Sequence, residues 1–184
     1  MGRHLVYLSL GSNLGDRRWH LAHAVACLQG LLGELKLSSL YETAPQELID
    51  QPFFLNIAVS GRTELEPQAL LEAIMAIESR LGRDRRAAVP KGPRVIDIDL
   101  LLFGERIIAE ESLQVPHPRM TGRRFVLQPL LELDPTLRHP ATGEPLSRCL
   151  ERLGEQGVYN LGPWDYTLPV PEHDCGRPGR ETKI

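Results

Sequence analysis

Cysteine is scarce. The 184 residues hold three, Cys27, Cys149 and Cys175, odd in number and widely spaced. They form neither a zinc pattern nor a disulfide framework, which points to a reducing cytoplasm. Charge of one sign is lacking too: a net charge of -3 gives no global pull toward nucleic acid or anionic membranes. No apolar run is long enough to span a bilayer. The short apolar part of MGRHLVYLSLGSN runs into a turn, so no signal peptide is expected. Met1-Gly2 is discounted as a myristoylation start because a strand begins almost at once, at Leu5. No serine or cysteine has the neighbours of an activated nucleophile. There is no internal repeat.

What remains is an ordinary soluble composition, 42% hydrophobic and 24% charged, of a length that suits one domain with a sizeable core. Leu5 to Leu10 reads as a strand ending at Gly11-Ser12-Asn13. Asp16 is placed to cap a helix carrying Leu21, Val25, Leu28 and Leu32 at helical spacing, with Gly33 closing it. Leu35 to Thr43 reads as a second strand, Ala44 to Pro52 as a polar loop, and Phe53 to Thr63 as a third strand. Pro67 opens a second helix whose stripe is Leu70, Leu71, Ile74, Ile77 and Leu81, ended by Gly82. A basic loop, Arg83 to Gly92, leads into a fourth strand within Lys91 to Gly104. This is the order of a split β-α-β unit, hence an α+β fold with an antiparallel sheet and helices on one face. Further on, Arg106 to Ile108 could add a strand, and short helices fit Pro129 to Leu133 and Leu146 to Leu153. From Gly162 proline and glycine recur, so residues 162–184 read as a loosely ordered tail on a single domain of residues 1–161.

Within the fourth strand, KGPRVIDIDLLLFG, Asp97 and Asp99 lie two apart and so point to one face. Two bare carboxylates in an apolar setting repel each other and lose hydration, so something must neutralise them. A hard divalent cation whose shell is completed by substrate phosphates would do so. So would a basic partner such as Arg94 for one aspartate and a wet strand end for the other, and spacing alone does not choose. Arg80, Arg83, Arg85, Arg86, Lys91 and Arg94 are the densest basic cluster. Such a run is often only a solvated face, but leading straight into two aspartates it could clamp a polyphosphate.

Phe54 and Asn56 share a strand face, an aromatic beside an amide, which would suit a flat heterocycle or a plain core. His117, between two prolines, could donate to a phosphate or simply fill a turn. GSNLG at 11–15 lacks the Gly-Lys-Ser/Thr ending of a phosphate loop and reads first as a turn plus helix cap, with a backbone that lines a ligand site as the alternative. His20 and His23, a helical turn apart without a third ligand, read as surface histidines rather than a zinc site.

Taken together, LGSNLGDR (10–17), YETAPQ (41–46), DQPFFLNIAV (50–59), GPRVIDIDLLLFG (92–104), and VPHPRM with GRRFVLQPL (115–130) resemble the 6-hydroxymethyl-7,8-dihydropterin pyrophosphokinases of folate synthesis. Five segments in order are far more specific than any one. The resemblance implies a ferredoxin-like split β-α-β antiparallel sheet with helices packed on it. It also implies magnesium-dependent transfer of pyrophosphate from ATP to the pterin hydroxymethyl group, releasing AMP. By motif position Asp97 and Asp99 would hold two Mg2+ ions, and with Arg83 and Arg94 would form the catalytic set. Arg83, Arg85, Arg94, His117 and Arg123 would meet ATP. Thr43, Gln46 (largely through its backbone), Phe54, Asn56 and Phe125 would line the pterin pocket.

The implied partners are thus ATP and the pterin, with no nucleic acid and no membrane, in a cytoplasmic and monomeric enzyme. An RNA-binding module using the arginine loop is the rival of a different class; it leaves Asp97 and Asp99 without a purpose. Phe54 stands where a tyrosine is common, Lys91 where some members place a tryptophan, and Met75 where a glutamine can meet nucleotide. Ser112 and Gln114 replace polar or basic contacts.

Overall fold

The computed structural model describes residues 3–46, 50–83 and 92–165. In chain order the elements are β1 (His4–Ser12), α1 (Arg17–Leu28), β2 (Gly33–Leu37), β3 (Tyr41–Thr43), β4 (Phe54–Thr63) and α2 (Pro67–Arg80). They continue with β5 (Asp97–Phe103), β6 (Ile108–Ala109), β7 (Gln114–Val115), α3 (Arg124–Leu133), α4 (Leu146–Arg152) and β8 (Val158–Asn160). A 3-10 turn at Met120–Gly122 precedes α3.

The main sheet is antiparallel, ordered β5-β1-β4-β3-β8, with β2 pairing the far end of β4. Counting β2 and β3 as one interrupted strand, this is the expected split β-α-β α+β arrangement, with β1 central between β4 and β5. Two local signals fix the helices. The Asp16 carboxylate accepts from Trp19 N at 3.0 Å, capping α1. Pro67 sits in the first turn of α2, where its missing N–H costs nothing.

Helices cover both faces of the sheet, not one. Val6, Leu8 and Leu10 of β1, and Ile98, Leu100 and Phe103 of β5, pack with Leu21, Leu28, Leu70 and Ile74 of α1 and α2. On the other face Tyr7, Leu101 and Leu102 meet Val126, Leu127, Leu130, Leu146 and Cys149 of α3 and α4. Each such fully buried aliphatic side chain contributes about 1.5–3 kcal/mol. A register shift where Tyr7 and Leu8 pair Leu102 and Leu100 leaves Leu101 bulged, so Leu101 and Leu102 both face α3 while Phe103 returns to the α1 side.

Other expectations are corrected locally. The stretch from Leu35 to Thr43 is two strands: the Ser38 hydroxyl accepts from Ala58 N at 2.9 Å, and Leu40 leaves β4 to pair with Leu161 and Gly162. Helix α1 ends at Leu28, and Gly33 begins a strand rather than closing the helix. Helix α3 starts at Arg124 and contains Pro129, which forfeits one bond, to the Phe125 carbonyl. The strand sought at Arg106–Ile108 is the β6–β7 ribbon, and the Asp-bearing strand begins only at Asp97. Beyond β8, Leu40 N donates to Gly162 O at 2.9 Å, and Trp164 packs against the core.

Candidate active site

On the α3 face, alternation along β1 gives Tyr7, then Ser9, then Gly11. Tyr7 lies under α3, while Ser9 and Gly11 lie beyond its end and floor a cavity of about 490 Å³. The same alternation brings Asp97 and Asp99 from β5, Phe54 and Asn56 from β4, and Thr43 from β3 to that floor. Register sets the neighbours: Gly11 pairs with both Asn56 and Asp97, and Ser9 pairs with Asp99. The walls come from Gln46, Arg94 and the start of α3 with Arg119, Arg123 and Phe125.

At the apolar end, Asn56 is buried and its amide N–H donates to Thr43 Oγ1 at 2.7 Å. Its carbonyl oxygen lies 2.7 Å from where a Cβ on Gly11 would be, so that position admits only glycine without a shift. Phe54 and Phe125 both face the cavity, each with a guanidinium near its ring, Arg94 at 6.0 Å and Arg123 at 5.6 Å from the centroid. The Gln46 amide is already engaged, donating to Gln156 O at 2.8 Å.

At the charged end, Asp97 is bonded to both Arg83 and Arg94, so the basic-partner alternative holds for this aspartate. Burial alone would raise its carboxyl, but the two guanidinium charges outweigh burial and hold it below the usual 3.8. Asp99 differs. Burial, then the neighbouring Asp97 charge, push it up to about 6, and Arg123 only eases this from a distance. It lies mid-floor, not at a wet strand end. Two carboxylates on one strand face, one of them uncompensated, suit a hard cation that takes its remaining oxygens from substrate and water. Among the described residues no group of three or more His, Cys, Asp or Glu assembles into a self-sufficient metal cage.

Arg83 and His117 do not line the cavity. Arg83 stands behind Asp97, held also by Glu78, a fully buried acid on α2 whose Oε1 accepts from Ile98 N at 2.8 Å. His117 donates its backbone N–H to Leu101 O at 2.9 Å. Burial, then the Arg123 and Arg119 charges, lower its ring to about 4. Arg85 and Lys91 lie outside the described residues. Met75, Ser112 and Gln114 are not among the cavity-lining residues.

Sequence reasoning missed Glu78 and Arg119 and read Asn13 only as part of a turn, whereas Gly11 on the cavity floor matches the alternative of GSNLG as a backbone lining a ligand site. Glu78 had a signal, since it falls on the buried stripe of α2 with Leu70, Ile74 and Ile77, where an acid needs a cation. Asn13 does more than turn the chain. Its side chain donates to Gln51 Oε1 at 3.1 Å and Pro52 O at 3.0 Å and accepts from Arg94 N at 2.8 Å. It thereby ties the approach to β4 to the approach to β5.

The arrangement defines a class: a site that gathers arginines and a carboxylate pair beside a pocket lined by two phenylalanines, an asparagine and a threonine. Residues 7–135 match the family model of 7,8-dihydro-6-hydroxymethylpterin-pyrophosphokinase (HPPK), and the chain belongs to that enzyme family. It is similar to the 2-amino-4-hydroxy-6-hydroxymethyldihydropteridine pyrophosphokinase of Bacillus subtilis, 47% identical over 140 residues, 75% of this chain and 83% of that one. It is also similar to the folic acid synthesis protein fol1 of Pneumocystis carinii, 40% identical over 163 residues, 88% of this chain but 22% of the relative. The chain thus spans about a fifth of the length of that longer relative. The fold matches that of wild-type Plasmodium falciparum HPPK-DHPS with pterin and p-hydroxybenzoate. The TM-score is 0.65 at 18% identity, covering 82% of this chain and 42% of that one.

Proposed function

We propose that the protein transfers pyrophosphate from ATP to the hydroxymethyl oxygen of 6-hydroxymethyl-7,8-dihydropterin, releasing AMP, as a step of folate synthesis. The observation that carries this is the meeting, in one cavity, of an uncompensated Asp99 with the Phe54, Asn56, Thr43 and Phe125 pocket. Family membership supplies the substrates. The two phenylalanines receive the flat ring, while the Asn56 and Thr43 polar atoms fix its edge and orientation. Gln46 contributes mainly through its backbone, consistent with its engaged amide.

A primary alcohol is a poor nucleophile, and the ATP chain repels incoming oxygen, so positioning and neutralisation are the main tasks. Arg94 and Arg123 line the cavity between the ring pocket and the carboxylates, where phosphates would lie. Arg83, behind Asp97 and held by Glu78, adds its charge to theirs from outside the cavity lining, with His117 and Arg85 completing the nucleotide contacts. Asp97 and Asp99 would hold two Mg2+ ions. Bound there, magnesium neutralises phosphate charge and acidifies the attacking hydroxyl. No side chain need serve as a dedicated general base. We take residues 1–161 as one catalytic domain with 162–184 appended, working as a monomer in the cytoplasm. No helix among the described residues is long and apolar enough to cross a membrane.

The deciding experiment is incubation with Mg2+, ATP and the hydroxymethyl dihydropterin, followed by identification of the nucleotide product. AMP formed in step with pterin consumption is expected. ADP, or no turnover, refutes the proposal.

A further inference from the structure

The segment joining α4 to β8, residues 153–157, lies beyond the family match, yet it is bonded to two walls of the cavity at once. On one side it grips the chain leaving β3. Ala44 N donates to Gly157 O at 2.9 Å, and Gln46 Nε2 donates to Gln156 O at 2.8 Å. On the other side it grips the start of α3. Gln156 Oε1 accepts from Arg124 N at 2.8 Å, and Gln156 Nε2 donates to Gly122 O at 3.3 Å. The Arg124 guanidinium returns to the segment, donating to Gly154 O at 3.1 Å and Leu153 O at 2.6 Å. Pairing of β8 with β3, Thr43 opposite Val158, continues the grip.

Both gripped pieces carry cavity-lining residues: Thr43, Ala44, Pro45 and Gln46 on one, Gly122, Arg123 and Phe125 on the other. No part of residues 153–157 lines the cavity itself. Gln156 is the pivot. Its backbone carbonyl holds one wall, and both polar atoms of its side-chain amide hold the other. The conformation is specific as well, because Gly157 has φ +60 and an added Cβ there would stand 3.0 Å from Ala44 Cβ.

We infer that residues 153–157 form a strap that sets the width of the ring-binding pocket, with Gln156 as a positioning residue for the pterin. The inference rests on the pterin reading of that pocket. The phosphate side is anchored mostly elsewhere, through β5, Glu78 and the Asn13 bonds to the Arg94 segment, none of which the strap touches; of the residues assigned to phosphate, Arg123 alone lies on a gripped piece. A change at Gln156 therefore acts on pterin recognition, through both gripped walls, more than on nucleotide recognition, which it reaches through Arg123 alone. Loss of its two side-chain bonds to backbone groups frees the start of α3 and, with it, Phe125 and the adjoining Arg123.

The test uses the full chain as wild type, Gln156→Ala, Gln156→Glu and Gly157→Ala. Steady-state KM is measured separately for ATP and for the dihydropterin, and oxidised 6-hydroxymethylpterin binding is followed by the ligand's own fluorescence. Gln156→Ala should raise the pterin KM about tenfold, with a clearly smaller rise in the ATP KM, carried by Arg123 alone. Gln156→Glu keeps the acceptor for Arg124 N and should recover part of the loss. Gly157→Ala, which shifts the same segment by strain, should show the same larger effect on the pterin KM. Equal rises in both KM values, or none with wild-type activity intact, overturn the strap alone. A wild type that neither turns over nor binds the pterin overturns the functional reading, and the strap falls with it.

Discussion

Asp99→Asn should make the unliganded protein more stable while destroying its activity. In the folded chain the Asp99 carboxyl keeps its proton up to about pH 6, against the usual 3.8. Between those values the folded state binds more protons than the unfolded one, so stability falls as pH rises through the window. Above pH 6 the ionised carboxylate costs about 3 kcal/mol, from roughly two pH units at about 1.4 kcal/mol each. Asparagine keeps the shape and removes the charge. The variant should gain on the order of 2–3 kcal/mol at pH 8, and near zero at pH 4, where the wild type is already protonated. For a chain of this size the gain at pH 8 corresponds to a rise in Tm of about 5–10 °C. Thermal denaturation at both pH values, with the AMP assay alongside, measures it. Turnover should drop by about 10³-fold or more if the carboxylate holds the metal that assists transfer. Mg2+ with ATP should raise the Tm of the wild type but not of the variant. An equal Tm shift at both pH values, or turnover within tenfold of wild type, would refute the reasoning.

Three further outcomes follow from the same geometry. Gly11→Ala places a Cβ 2.7 Å from the Asn56 carbonyl oxygen, so it should cost about 1–3 kcal/mol; pterin binding should weaken more than ATP binding in paired titrations. Glu78→Ala strips a fully buried acid from Arg83 and Ile98 N, and urea unfolding should show a loss of about 3 kcal/mol, with Glu78→Gln losing less. His117 titrates near 4 because it is buried beside Arg123 and Arg119; bound triphosphate should raise that value, visible as an NMR titration moving toward neutral pH. In the free protein the lowered His117 value adds stability that is complete above pH 6.5 and is lost as pH falls through about 4.

The first half of the fold was legible because its punctuation is explicit: the Asp16 cap, Pro67 at a helix start, and two-residue alternation through Asp97 and Asp99. The second face of the sheet was not. Pro129 reads as a helix start, yet in the sixth position of α3 it removes only one backbone bond, which the buried Val126, Leu127 and Leu130 outweigh. The break between β2 and β3 was equally hidden, since the groups that take Leu40 away from β4 belong to residues 161 and 162, far along the chain. At the site, the spacing showed that the two aspartates share a face but could not show that both arginines choose Asp97. That choice makes two chemically identical side chains electrically unlike.

The bulge at Leu101 lets β5 obey two phases. Ahead of it, odd-numbered residues look into the cavity; after it, Phe103 is returned to the interior, where it meets His4 and lies under Arg106. With strict alternation one strand could not serve both ends. With that strict phase, seating Phe103 in the layer beneath α1 and α2 would turn both carboxylates into it, and presenting the carboxylates would expel Phe103 to the other face. The extra residue therefore uncouples chemistry from anchorage. Shortening β5 by that one residue should force the protein to give up one or the other, whereas substitutions that keep the count can vary either end independently.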